Sequence, residues 1–196
     1  MARTRFDMNK NAIYRIFSRM PTLNTPRLVL RPMEPDDAQD MFEYASRADV
    51  TKYLTWYPHS SVRYTRDYLE YIENRYATGD FFDWAITLRE SGKMIGTCGF
   101  TCFDFENDSA EVGYVLNPDY RGREIIPEAL HAVIRFGFEN LLLNRIEAHY
   151  IVGNDASRRV MEKVGMKFEG VRRSGMLIKG QYRDIGVCAV LSEEFG

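Results

Sequence analysis

Cysteine and histidine are scarce in this sequence, with three of each in 196 residues. Cys98, Cys102 and Cys188 lie inside apolar runs that we predict to be strands, and they do not form the C-x-x-C pairs typical of zinc sites. We therefore expect reduced thiols in or near the core and no metal site.

Long hydrophobic runs and an excess of charge of one sign are also missing. No apolar stretch approaches the roughly 20 residues needed to cross a bilayer, and the N-terminus lacks the apolar segment of a signal peptide. The 26 basic and 28 acidic residues leave a net charge of −2, which argues against a dedicated nucleic-acid or membrane-surface protein. These absences predict a cytoplasmic protein with no membrane partner.

The length suits one core and hardly two, and no internal repeat or low-complexity segment appears. We expect a single domain over residues 21–196 behind an N-terminal extension, residues 1–20. In the extension, Ile13, Ile16 and Phe17 have helical spacing, which predicts a short amphipathic helix packed on the domain. Its five basic residues leave a second interpretation open, an arm that contacts nucleic acid or a ribosome.

The chain reads as a mixture of strands and helices. Predicted strands are 23–32, 82–88, 94–103, 110–116, 145–152, 166–170 and 181–191, and predicted helices begin at Asp36 or Asp37 and cover 62–76, 124–141 and 155–164. Strand, helix and strand over 110–152 form a crossover that should be right-handed and parallel. The expected fold is therefore α+β, with a mixed and mostly antiparallel sheet of about six to seven strands and helices on both faces.

The segment 110–141 combines several features of a binding site. Its strand contains Gly113, which predicts a bulge or a close approach by a ligand. The loop that follows carries Arg121, Gly122 and Arg123 directly before a helix. Unpaired backbone N–H groups, the positive end of the helix dipole and two arginines then point to one place, which predicts a phosphate or pyrophosphate site. The alternative is a solvated loop.

A dense aromatic loop lies between the two early helices, over residues 53–59. Exposed aromatic side chains favour pockets and interfaces because their apolar area is costly in water. Trp56, Tyr57 and His59 are therefore candidates for substrate binding. The alternative is that they only cap the helix pair.

Four segments together resemble one known family. TPRLVLRPMEPDDA, GKMIGTCGF, AEVGYVL and GNDASRRVMEKVGMKFEG occur in the order seen in the GNAT superfamily of acyl-CoA-dependent N-acetyltransferases. The sequence is most similar to the RimJ/RimL ribosomal-protein acetyltransferase group, over about residues 23–191. The resemblance implies the GNAT fold, acetyl-CoA as cosubstrate and, as in this group, the option of a homodimer.

The resemblance implies that backbone amides of the loop before the long helix hold the CoA pyrophosphate, through Arg121, Gly122, Arg123, Glu124, Ile125 and Ile126. The family motif is R/Q-x-x-G-x-G/A, so Glu124 replaces its central glycine and Ile126 its last small residue. A carboxylate about 6 Å from a phosphate costs on the order of 2 to 3 kcal/mol at an effective dielectric near 20. We expect weakened CoA binding, and a rotamer of Glu124 that points away would remove most of the cost.

The remaining site residues also follow from the resemblance. Asn154 would hydrogen-bond the pantetheine arm, although it could simply cap its helix. The strand at Tyr114, Val115 and Leu116 would offer a backbone N–H to the thioester oxygen. Met161 occupies the position at which many members have a tyrosine.

Amide formation from a thioester suggests the catalytic candidates. Glu111 on the central strand is the candidate general base, with a carboxylate merely paired on the sheet as the alternative, and His149 is a second candidate base. Ser157 could relay a proton to the leaving thiolate.

These features predict an N-acetyltransferase that moves an acetyl group from acetyl-CoA to a primary amine, either a protein N-terminal α-amine or a small-molecule amine. The alternative is a catalytically weak or inactive acetyltransferase-like binding module in which Glu124 impairs CoA binding.

Overall fold

The computed structural model describes residues 10–196, and the first nine residues of the predicted extension lie outside this range. The α-helices are α1 Lys10–Phe17, α2 Ala38–Ala45, α3 Ala48–Thr51, α4 Val62–Thr78, α5 Ile125–Glu139 and α6 Asp155–Lys163. The strands are β1 Leu23–Asn24, β2 Leu28–Arg31, β3 Asp83–Leu88, β4 Met94–Asp104, β5 Ser109–Leu116, β6 Arg145–Ile151, β7 Lys167–Ile178 and β8 Gln181–Leu191.

One mixed sheet contains all eight strands in the order β1-β2-β3-β4-β5-β6-β8-β7. Among the strands of residues 10–196, only the β5–β6 pairing is parallel, and α5 connects these two strands, so the predicted crossover is confirmed. The sheet has more strands than the expected six to seven because the segment 23–32 forms two strands. Pro26 has no N–H to donate and interrupts the segment at a turn, after which Leu30 pairs with Leu23.

The bulge expected in β5 lies on β4 instead. Phe100 pairs with Val112 and Cys102 with Glu111, which leaves Thr101 as the extra residue. Gly113 is needed for a different reason, because a Cβ at this position would lie 2.9 Å from Cγ2 of Thr101. The glycine therefore lets the bulged strand pass closely over β5.

Helices cover both faces of the sheet, as predicted. On one face, α1 and α5 pack with Trp84 and Ile86 of β3 in the larger core cluster. On the other face, α2 and α4 pack against Ala85 of the same strand. The alternation of side chains along β3 thus separates two apolar layers. Within residues 10–196, no helix has the length and apolarity needed to span a membrane.

Asp37 and the three cysteines were both subjects of the sequence predictions. Asp37 occupies the position before α2, but its carboxylate accepts from the Glu34 N–H and pairs with Arg31 rather than capping α2. The three cysteines are free thiols, with Cys98 and Cys188 buried and Cys102 exposed.

Candidate active site

The central feature of the site is a gap between the two parallel strands. β5 and β6 pair from Ser109 and Arg145 to Val112 and Ala148. Beyond these residues β5 continues to Leu116 beside β4, while β6 diverges from it. The result is a groove with one edge of β5 facing into it.

Backbone groups of β5 point into this groove. The Asn117 N–H donates to the Ile95 carbonyl on the β4 side. Successive residues of a strand direct their N–H groups to alternate sides. The N–H groups of Tyr114 and Leu116 therefore face the side that β6 has left.

A cavity of about 690 Å³ occupies the groove. It is bordered by the end of β5, the loop before α5, the end of β6, α6, and residues 53–55 of the aromatic loop. Residues Tyr114, Val115, Leu116, Arg121, Gly122, Glu124, Ile125, Ile126, Asn154 and Ser157, all predicted to bind the cosubstrate, line this one cavity.

The start of α5 shows how the altered motif is accommodated. Glu124 has φ of 57° and ψ of 25°, a left-handed conformation that costs a residue with a Cβ about 1 to 2 kcal/mol. Glycine adopts this conformation without that cost, which explains its place in the family motif. Ile125 and Ile126 are buried in the larger core cluster and also line the cavity. Arg123 lies against the Tyr120 ring and is not part of the cavity lining, and its part in CoA binding stays a prediction.

The Glu124 side chain does not cap α5. Its carboxylate contacts the ammonium of Lys163, the last residue of α6, at 2.5 Å. Both residues line the cavity. The charge that we expected to repel a phosphate is thus paired with a cation across the groove.

A clamp formed by Arg27, the residue immediately before β2, fixes the same loop. The Arg27 guanidinium donates to the carbonyls of Arg123 and Glu124 at 2.9 and 3.3 Å, and to Glu128 of α5 at 2.6 Å. Burial opposes the charge on Glu128, but hydrogen bonds from Thr25 and Arg27 outweigh it and lower the pKa of this carboxyl. Sequence reasoning missed this role of Arg27, although the residue lies within one of the recognised segments.

On the opposite wall, Asn154 and Ser157 begin α6. The side-chain oxygen Oδ1 of Asn154 accepts from the Ser157 N–H at 3.4 Å, so the residue does cap the helix. The Ser157 hydroxyl lies 2.9 Å from the hydroxyl of Tyr114, which reaches over from β5. Burial raises the pKa of Tyr114, so its phenol keeps its proton at neutral pH. Met161 is buried in the core and does not reach the cavity lining.

The candidate base belongs to a charged cluster at the inner end of the cavity. His149 places Nδ1 at 3.1 Å from Glu111 and Nε2 at 3.1 Å from Glu147. The guanidinium of Arg172 lies 3.2 and 3.3 Å from the two ring nitrogens.

The same cluster is relevant to the predicted absence of a metal site and to the predicted reduced state of Cys102. Glu111, Glu147 and His149 offer ligand atoms within 4.8 Å of one another, which is compact enough for a metal ion. The cation of Arg172 beside them disfavours a second cation in electrostatic terms, and the absence of a metal stays a prediction. Although Cys102 is exposed, the partial desolvation of its thiol, and then the charge of Glu111, raise the pKa of this group, which therefore stays protonated at neutral pH.

Three predicted substrate residues lie away from the cavity lining. Trp56 packs against the α2–α4 core, His59 hydrogen-bonds Thr65 at 2.8 Å, and Tyr57 is exposed beneath Lys179. From the same loop, Tyr53, Leu54 and Thr55 line the cavity instead. Acceptor binding by Trp56, Tyr57 and His59 stays a prediction.

Together these groups can perform acyl transfer. The groove offers N–H donors for a carbonyl oxygen, a helix N-terminus for a phosphate, and a carboxylate for an amine proton. They converge on one cavity from both of its walls.

Comparisons with known proteins agree with this geometry. Residues 27–167 match the family model described as an acetyltransferase (GNAT) domain. An uncharacterized N-acetyltransferase of Bacillus licheniformis, p20, is 36% identical over 176 residues, which cover 90% of this chain and 99% of p20. The ribosomal protein uS5-alanine N-acetyltransferase of Escherichia coli (strain K12) is 26% identical, over 88% of this chain and 92% of its own.

A solved structure shows the same architecture. The acetyltransferase (GNAT family) from Bacillus anthracis superposes with a TM-score of 0.79 at 29% identity. The match covers 89% of this chain and 100% of that one.

Proposed function

The chain belongs to the acetyltransferase (GNAT) family, and on this premise we propose that it transfers the acetyl group of acetyl-CoA to the α-amine at a protein N-terminus. Family membership makes it an N-acetyltransferase with an amine acceptor. The choice of acetyl-CoA as donor and of an α-amine as acceptor is our proposal.

The observation that carries the proposal is the open edge of β5. The N–H groups of Tyr114 and Leu116 face a groove that ends at the N-terminus of α5. An acyl carbonyl at the strand and a phosphate at the helix are the two ends of an acyl-CoA molecule. The groove residues therefore fit this cosubstrate, whose thioester supplies the activated acyl group.

Each group of the site has a separate role in the proposed acyl transfer. Glu111 accepts a proton from the incoming ammonium, directly or through water, and the freed lone pair attacks the acyl carbonyl carbon. The β5 N–H groups stabilise the charge that develops on the carbonyl oxygen, and one such donor is worth roughly 3 kcal/mol. As the C–S bond breaks and the amide nitrogen loses its second proton to water, the Tyr114 and Ser157 hydroxyls donate hydrogen bonds to the departing sulfur.

The acceptor class follows from acid–base chemistry and from one relative. An α-amine titrates near 7.7 to 8.0 and a lysine near 10.4, so an α-amine needs less help from a base. The relative from Escherichia coli carries alanine of ribosomal protein uS5 in its name. We therefore favour a protein N-terminus over a small-molecule amine such as a polyamine.

The test is a set of acceptors offered with acetyl-CoA. One peptide has a free N-terminal alanine or serine and no lysine, a second has a blocked N-terminus and one lysine, and a polyamine is the third acceptor. Mass spectrometry locates the added acetyl group. Acetylation of the first peptide alone supports the proposal, whereas acetylation of only the lysine or the polyamine overturns the acceptor class.

The alternative, a binding module without useful CoA affinity, rested on Glu124. The pairing of this carboxylate with Lys163 removes part of that argument. Absence of turnover with all three acceptors, together with absence of CoA binding, would restore it.

The cellular location and the oligomeric state are proposals as well. We place the protein in the cytoplasm and propose a homodimer. Exposed apolar side chains of β7 and β8, among them Leu177 and Tyr182, are candidates for the dimer contact. Light scattering of the purified protein measures the mass, and a monomer at micromolar concentration would exclude the dimer.

A further inference from the structure

An ion pair joins the two walls of the groove at its outer end. Glu124 precedes α5 and Lys163 ends α6, and they are 39 residues apart in the chain. We call this contact the interhelix ion pair. Its side chains are 56% and 51% exposed, so it contributes little to folding.

The position of Glu124 is unusual for a residue before a helix. A carboxylate there commonly accepts N–H groups of the first turn, but Glu124 makes no such bond. The first-turn N–H groups of α5 thus remain available to another anion. The left-handed backbone of Glu124 places its side chain toward α6 instead.

The surrounding charges favour a polyanion. Arg121, Arg159 and Lys163 line the outer part of the cavity. Of the carboxylates in the lining there, Asp49 is already paired with Arg47 at 3.0 Å. Glu124 is therefore the carboxylate that competes directly with a phosphate for Lys163.

We propose that the interhelix ion pair is a gate that a phosphate group of the CoA donor opens, with Lys163 exchanging the Glu124 carboxylate for the phosphate. This inference rests on the proposed function, since it concerns the same groove. Lys163 becomes a donor-binding residue, and Glu124 becomes a built-in competitor that weakens donor binding and speeds release of the CoA product.

The experiment measures CoA affinity by calorimetry at one salt concentration. Its proteins are the wild type, Glu124→Gln, Lys163→Met and the double variant. Glutamine keeps the size of the side chain and removes its charge. Glu194→Gln is the matched control, because Glu194 also pairs with a lysine, Lys167, and neither residue lines the cavity.

The gate predicts a distinct pattern of affinities. Glu124→Gln should bind CoA about tenfold more tightly, a factor that corresponds to about 1.4 kcal/mol. Lys163→Met should bind about tenfold more weakly, and it should weaken binding in the Glu124→Gln background as well. Glu194→Gln should match the wild type.

Two results would overturn the gate while leaving the proposed function in place. One is an affinity of Glu124→Gln no higher than that of Glu194→Gln. The other is a loss of the Lys163→Met effect in the double variant, which would mean that Lys163 only neutralises Glu124. If no protein in the set binds CoA, the proposed function itself fails.

Discussion

At the scale of single residues, Tyr114 contributes two groups to the proposed reaction, a backbone donor and a hydroxyl. Its backbone N–H faces the groove and its hydroxyl contacts Ser157 on the opposite wall. Met161 stands where many family members have a tyrosine, and it is buried. The phenol beside the groove belongs instead to Tyr114 of β5.

We expect Tyr114→Phe to lower kcat about tenfold, the effect of one lost hydrogen bond of about 1.4 kcal/mol to the departing sulfur. The KM for acetyl-CoA should change little because the backbone donors remain. Initial rates over a range of acetyl-CoA concentrations measure both constants. Tyr71→Phe, on the exposed face of α4, is the control, and equal kcat values for the two variants would exclude the role.

A second residue-scale prediction concerns Asp83. Its Oδ1 is buried and has no hydrogen-bond partner among the described residues. Burial raises the pKa of this carboxyl to about 7 from 3.8. Because the folded-state pKa is the higher one, the associated stability is fully present below pH 3.8 and is lost as the pH rises through about 7.

We therefore expect the wild type to unfold at lower urea concentration at pH 8 than at pH 5. Asp83→Asn should remove most of this difference, and at pH 8 it should gain about 1 to 3 kcal/mol, the cost of an unsatisfied buried charge or polar group. Asp36→Asn, whose side chain is 95% exposed, should behave like the wild type. An unchanged pH dependence in Asp83→Asn would refute the assignment.

At the scale of elements, the clamp of Arg27 determines how the loop before α5 presents its backbone. The guanidinium holds the carbonyls of Arg123 and Glu124 on the side of β2. The carboxylate of Glu128 holds the guanidinium in turn. The clamp therefore fixes the backbone of a loop whose residues Arg121, Gly122 and Glu124 line the cavity.

We expect Arg27→Met to raise the KM for acetyl-CoA about tenfold, because one or two charge-assisted hydrogen bonds that order the loop are lost. Since the catalytic end of the groove is untouched, kcat should stay within about twofold. Arg89→Met is the matched control, because Arg89 binds the Thr25 carbonyl in the same region and not the loop. Steady-state kinetics that show the same KM change in both variants would contradict this role.

At the scale of the whole molecule, α1 is part of the main core. Phe17 is fully buried, with its ring centroid 4.9 Å from that of Phe82 and 5.5 Å from that of Trp84. The rings of Phe100, Phe103 and Phe136 also lie beside it. For the described part of the extension, residues 10–20, this packing supports the interpretation as a helix docked on the domain over that of a free basic arm.

We expect Phe17→Ala to lower the free energy of unfolding by about 3 to 5 kcal/mol, as for other large core aromatics. Urea denaturation at neutral pH measures the change. Leu142→Ala, at a residue that is 52% exposed, should cost less than about 0.5 kcal/mol. A decrease in the free energy of unfolding of less than about 1 kcal/mol for Phe17→Ala would instead favour the interpretation as a basic arm.

The sequence by itself determined the order of the elements and the parallel crossover. Apolar periodicity, Pro127 in the first turn of α5 and glycines at turns are local features, and they act within a few residues. The sequence also predicted most of the cosubstrate-binding residues that line the groove. The motifs at Tyr114, Arg121 and Asn154 could be located because they lie at the ends of predictable elements.

Only the tertiary structure decided which side chains meet. Lys163 is 39 residues from Glu124, and Arg27 is 101 residues from Glu128. No periodicity along the chain records such a contact, since it depends on how α6 and β2 pack against α5. For the same reason the expected repulsion at Glu124 became an ion pair, and the bulge expected on β5 formed on its neighbour β4.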